Sequence, residues 1–80
     1  MSCLSFGEKA CGVSFNPGGN PVVDSIKRNF ANVVDELETL RQQSAKERPQ
    51  DVEVRRMLSI AITDAQTAQM WAVKAVTWSH

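Results

Sequence analysis

Apolar residues recur at helical spacing along two long stretches, separated by a polar break that contains a proline. After Asn20-Pro21, residues Val23, Ile26, Phe30, Val33, Leu37 and Leu40 follow at intervals of 3, 4, 3, 4 and 3. That alternation is the a/d row of an amphipathic helix. Asn20 is a favoured N-cap, Pro21 a favoured first helical residue, and Asp24 places negative charge on the positive end of the helix dipole. The opposite face carries Lys27, Arg28, Asp35, Glu38 and Arg41. The pattern predicts a helix over about 21–43. Residues 44–49 are polar and end in Pro49, which biases the residue before it away from the helical region. A turn is expected there, then a second helix over about 50–78. Asp51 and Glu53 near its start and Lys74 near its end suit the dipole. A connection this short makes the two helices antiparallel.

The second helix is apolar on most of its sides. Residues 58–78 contain no glycine or proline. One stripe, Val54, Leu58, Ala61, Ala65, Ala68, Ala72 and Ala75, repeats at 4, 3, 4, 3, 4 and 3, a heptad row with mostly methyl knobs. The hairpin seam is expected to set the large a/d row of the first helix against this alanine row. Met57, Ile60, Trp71 and Trp78 then fall on a neighbouring face, and Ile62, Met70, Val73 and Val76 on another. Such a surface on so small a chain marks an interface, so the second helix is expected to form the core of a homo-oligomer.

All four glycines lie in residues 1–20. With Phe6, Val13 and Phe15 they read as a compact arm packed on the hairpin. Gly7–Cys11 suits a short turn, and residues 15–19 have loop chemistry. The expected architecture is all-α and one domain overall: an N-terminal arm (1–20) and an antiparallel two-helix hairpin (21–80), assembling into a homo-oligomeric helical bundle.

Eighty residues bury only about 60% of their unfolded surface and are marginal alone, which also favours assembly. Nine basic and nine acidic residues cancel, so the basic excess that drives binding to a nucleic-acid polymer is missing. A small anion held by a few local charges remains open. Asp64, Gln66, Gln69 and Lys74 interrupt the one stretch long enough to cross a membrane. Residues 1–20 lack the apolar run of a signal peptide. A cytoplasmic location with Cys3 and Cys11 as free thiols is therefore expected. Two cysteines and His80 do not make a zinc site. No Ser–His–Asp set, CxxC, GxxxxGK[ST] or GxGxxG occurs, and no catalytic residue, metal or cofactor is expected.

Several groups each carry two readings. Thr63, Asp64, Gln66, Thr67 and Gln69 either form a register-fixing hydrogen-bond layer or line a polar pocket where copies of the second helix meet. Lys27 and Arg28 are either solvated charges or phosphate contacts near a helix N-terminus. Phe6 and Phe15 either make a satellite core or stack on a planar ring, with Lys9 serving either role. Trp71 and Trp78, one heptad apart, read as oligomer core or rim.

Two runs carry a resemblance. FGEKACGVSFNP (residues 6–17), followed by IKRNFANVVDEL, and AITDAQTAQMWAVKAVTW (residues 61–78) resemble the hairpin-domain family of phage anti-defence sponges that oppose the CBASS and Thoeris systems. The resemblance implies a helical hairpin that assembles, typically as a hexamer, in the cytoplasm of an infected bacterial cell. It implies binding without degradation of cyclic dinucleotides, cyclic trinucleotides or cyclic ADP-ribose isomers. It further implies a dinucleotide site between subunits, with Phe15 stacking on a base, Lys27 meeting phosphate and Asn16 beside them. Phe15 stands where a tyrosine would add a hydroxyl. Phe6, Arg28 and Lys9 join them as candidate contacts. A second, trinucleotide site falls on Thr63, Gln66 and Thr67; the family's arginine there aligns near Thr63, which is not basic. The alternative is an adaptor hairpin that docks on another protein and takes no small ligand.

Overall fold

The computed structural model describes residues 4–14 and 19–78. They form three helices and no strand: α1 (Phe6–Cys11), α2 (Pro21–Glu47) and α3 (Val52–Val76). The Cα extents are 50 × 32 × 12 Å. The smallest is about one helix diameter, so the helices lie side by side in one layer.

α1 turns the expected arm into a short capped helix. Ser5 is its N-cap: its hydroxyl accepts from the Glu8 amide at 3.0 Å, and the Glu8 carboxylate accepts from the Ser5 amide at 2.7 Å. This reciprocal capping box satisfies two donors that a helix start leaves orphaned. Gly12 ends the helix at φ 62°, a left-handed conformation that glycine adopts without strain.

A carboxylate from α2 fixes the start of α1. One Asp35 oxygen accepts from the Ser5 hydroxyl and the other from the Gly7 amide, both at 2.7 Å. Gly7 makes this approach possible, because a Cβ there would overlap the Ala31 carbonyl oxygen and come within 2.9 Å of the Asp35 carboxyl carbon. Two small residues, Gly7 and Ala31, thus let the helices meet backbone to backbone.

α2 starts as the sequence predicts, with the Asn20 side chain accepting from the Val22 and Val23 amides at 2.9 and 3.3 Å. It runs one turn beyond residue 43, to Glu47. Ser44-Ala45-Lys46-Glu47 can continue a helix, and only Arg48, directly before Pro49, is forced out, at φ −137°. Arg55 holds the turn. Its guanidinium donates to the carbonyls of Ser44 (3.3 Å), Arg48 (3.0 Å) and Pro49 (2.6 Å), the first two of which also accept from the Arg48 and Asp51 amides at 2.8 and 2.9 Å. Asp51, the N-cap of α3, makes no side-chain capping bond.

The seam differs from the expected row-on-row match. The buried positions of α2 are Val23, Lys27, Ala31 and Val34, and those of α3 are Ile62 and Gln69. Val33 and Leu40, expected in the seam, are exposed, and so are Ala68 and Ala75. Ile62, expected on an outer face, is 4% exposed and packs with Cys11, Val13, Ala31 and Val34. The reason is that α2 has two partners. α1 occupies the side centred on Ala31, and α3 packs where it can touch α1 and α2 together. Phe30, Leu37 and Ala65 stay at the margin of this core. The core is small, and Met57, Ile60, Met70, Trp71, Val76 and Trp78 of the second helical segment remain exposed.

Candidate functional site

Where the end of α1, the second turn of α2 and the last turns of α3 converge, they enclose a groove of about 570 Å³. Lys9, Ala10, Cys11 and Gly12 form one wall and Lys27 the floor; Gln69, Met70, Val73, Lys74 and Thr77 form the other wall. Three lysines and no carboxylate line it. Its volume lies within the roughly 300–1,000 Å³ of small-ligand sites, and the concentration of cations suits an anion. The groove is local: the chain as a whole carries no net charge.

Lys27 is the best-placed cation. It is 7% exposed, and its ammonium donates to the Gly12 carbonyl at 3.1 Å, at the negative end of α1. Its aliphatic stem lies along the seam while its head reaches the groove, the usual compromise for a long cationic side chain. The Lys27–Gly12 bond at one end of α1 and the Asp35 bonds at the other hold the wall in place. Lys74 lines the opposite wall, its ammonium 5.2 Å from the Trp71 ring centre and 5.8 Å from that of Trp78. At these distances two indole faces attract one ammonium. Cys11 is a free, buried thiol whose pKa is raised, first by burial and then by Asp35, with Lys27 opposing. A thiol kept protonated is a poor nucleophile, so it serves here as packing.

The other candidates lie in different places. Arg28 is exposed and paired with Asp24 at 3.0 Å. It lines a separate depression of about 390 Å³ with Ser5, Glu8 and Asp35, where carboxylates disfavour an anion. Phe6 lies at the far end of α1 from Gly12, with the Arg41 guanidinium 5.6 Å from its ring centre, and does not line the groove. Phe15 and Asn16 lie outside the described residues. The Thr63 and Thr67 hydroxyls donate to the carbonyls of Ser59 and Thr63, each at 3.1 Å, so in this chain they bond within their own helix. Gln66 is half-buried, and Thr67 borders a shallow depression of about 270 Å³ with Met70, Trp71 and Lys74. No group of acidic, cysteine or histidine side chains among the described residues can hold a metal. No helix among them is long and apolar enough to cross a membrane.

Lys74, Gln69 and Thr77 belong to the groove but were not singled out from the sequence as a set with Lys9 and Lys27. One signal was available for Lys74. Trp71 and Trp78 stand three residues before and four after it, which places both rings beside one cation on a helix. Gln69 carried none, since its burial depends on where α1 docks.

A family model described as the Acb2/Tad1 hairpin domain matches residues 9–77. Neither the curated proteins nor the solved structures compared with the chain give a match.

Proposed function

The chain belongs to the Acb2/Tad1 hairpin-domain family, the anti-CBASS and anti-Thoeris sponges, and on that premise we propose that it sequesters a cyclic nucleotide immune messenger without degrading it. The observation that carries this reading is the groove lined by Lys9, Lys27 and Lys74 with no carboxylate, inside the matched domain. A cyclic dinucleotide brings two phosphodiester charges on a compact ring. Lysine ammoniums meet such phosphates through charge-assisted hydrogen bonds, roughly twice as strong as neutral ones. Lys27 supplies the phosphate contact, with Lys9 and Lys74 flanking. Phe15, close after Gly12 in the chain, supplies the stacking face, and Asn16 a polar contact. No group in the groove is set up to break a bond, so the ligand is held and released intact. Arg28 and Phe6, on other surfaces of the protomer, contribute across a subunit boundary. Thr63, Gln66 and Thr67 form a second, trinucleotide site only where copies of α3 meet.

The reading includes self-assembly, with a hexamer the family's form. Trp71 and Trp78 stay 66% and 59% exposed and Met70 67%, on a helix whose inner face already packs in the hairpin. Burying such side chains is worth roughly 1.5–3 kcal/mol each. The place of action is the cytoplasm of the infected bacterial host, where the messengers are made.

Titration calorimetry with a panel of cyclic di- and trinucleotides tests the proposal. Sub-micromolar binding, with the ligand recovered chemically unchanged after heat denaturation, is the expected result. Lys27→Met keeps most of the buried stem and removes the charge, and is expected to abolish dinucleotide binding. Absence of heat across the whole panel would favour the adaptor hairpin and refute sequestration.

A further inference from the structure

Lys74 differs from several arginines of the chain in what holds it. Arg28, Arg41 and Arg56 are each paired with a carboxylate of their own helix, Asp24, Glu38 and Glu53. Such a pair fixes a cation and also cancels its charge for anything else. Lys74 lines the groove with no carboxylate paired to it among the described residues. Its partners are two rings, Trp71 and Trp78, whose centres lie 5.2 and 5.8 Å from the ammonium. A ring face attracts an ammonium through its quadrupole and carries no net charge. The lysine is therefore held in place with its full charge still available.

The chain keeps both rings beside it. Trp71 stands one turn before Lys74 on the same side of α3. Trp78 lies beyond the helix, which ends at Val76, but a last turn of backbone bonds continues past that end. The amides of Thr77 and Trp78 donate to the carbonyls of Val73 at 3.0 Å and Ala75 at 3.4 Å, and the Thr77 hydroxyl donates to the Val73 carbonyl at 2.8 Å. A lysine on its flexible four-carbon stem loses rotamer freedom when it meets a ligand. One already held between rings has less to lose, and affinity gains by that difference. We propose that Trp71 and Trp78 are positioning residues, which hold Lys74 at the groove wall without neutralising it and so raise its contribution to anion affinity. This assignment rests on the anion-binding reading of the groove and adds what orients one of its cations.

The test is a double-mutant cycle on the full chain with inorganic pyrophosphate, a phosphate anion that has no base to stack on a ring. Affinity is read by NMR titration for the wild type, Trp78→Leu, Lys74→Met and the double variant. Trp78→Leu is expected to weaken binding about two- to fivefold, the equivalent of one exposed cation–π contact. In the Lys74→Met background it should weaken binding no further. Trp78→Phe, which keeps a ring, should restore part of the loss. The Lys74 ε-methylene protons supply a signature that a purely structural role would not move. Ring currents shift them upfield in the wild type, and Trp78→Leu returns them toward the ordinary lysine position. An equal loss from Trp78→Leu in both backgrounds means that the ring acts through assembly or on the ligand, and overturns the assignment. Undiminished affinity in Trp78→Leu, or ordinary ε-methylene shifts in the wild type, overturns it as well. If Trp78→Leu does not fold, Trp71→Leu takes its place in the cycle. Absence of pyrophosphate binding by the wild type overturns the anion-binding groove itself, a result distinct from binding that is indifferent to the ring.

Discussion

Removing the Asp35 carboxylate should release α1 and leave the hairpin standing. Both of its oxygens are used, one by the Ser5 hydroxyl and one by the Gly7 amide, each at 2.7 Å and half-buried. A hydrogen bond to a charged group contributes roughly 1.5–3 kcal/mol net, so Asp35→Ala, which removes two, costs the docked state about 3–6 kcal/mol. Against this, α1 and the residue after its cap bury two apolar side chains, Cys11 and Val13, and full burial of a valine is worth about 1.5–3 kcal/mol. The loss matches what holds α1 down. A domain of 80 residues is stable by about 4–12 kcal/mol, and the α2–α3 seam and the Arg55 clamp do not involve Asp35. Local undocking is therefore expected rather than global unfolding. Amide hydrogen exchange reads this directly. The amides of Lys9, Gly12 and Val13, bonded to the carbonyls of Ser5, Lys9 and Glu8, should lose protection in Asp35→Ala while α2 and α3 keep theirs. Asp35→Asn, which retains one acceptor oxygen for the Gly7 amide, should fall between. Wild-type protection in α1 of the alanine variant would refute the latch, and so would loss of protection in all three helices together. Because α1 carries the Lys9–Gly12 wall of the groove, ligand affinity should fall with docking.

Three further outcomes follow from other parts of the molecule. Arg55→Ala removes three bonds to the carbonyls of Ser44, Arg48 and Pro49; with the turn largely exposed, a cost of about 1–2 kcal/mol is expected, read as a lower denaturation midpoint, and Arg55→Lys should not rescue it because an ammonium lacks the planar fork. Burial holds the Cys11 pKa above its ordinary range, so the thiol stabilises the fold while both states are protonated. That stability should decline as pH rises through the ordinary thiol range toward the raised value, and Cys11→Ala, compared by pH-dependent denaturation, should flatten the decline. Trp71→Glu should reduce the particle mass measured by light scattering without loss of helicity, and a wild type that scatters as a monomer would refute self-assembly.

Much of the fold was legible because its causes are local. The period of apolar residues, the Asn20-Pro21 start and the Pro49 break define two antiparallel helices whatever else the chain does. The surplus of apolar surface on residues 58–78 was legible for the same reason, and five large side chains of that segment do stay exposed. The seam was less legible. Spacing fixes a helical face only to within a neighbouring row, and Val33 and Leu40 satisfy the period as well as Ala31 and Val34. What selects between those rows is the closest approach of a third element, and Gly7 against Ala31 is a contact between residues that no hydrophobic pattern marks.

The candidate site divides along the same line. Sequence alone determined that the chain is helical, that it lacks the basic excess for a nucleic-acid polymer, and that Lys9 and Lys27 flank a glycine-rich arm. Only the tertiary structure decided that these lysines share a groove with Lys74, that Arg28 and Phe6 do not, and that Gln69 is drawn into the groove wall. Helix periodicity and capping act over one or two turns, so a sequence states them. A groove of side chains from residues 9 to 77 depends on how three helices rotate against one another. Here that rotation is set by two small residues and one carboxylate at the foot of α1.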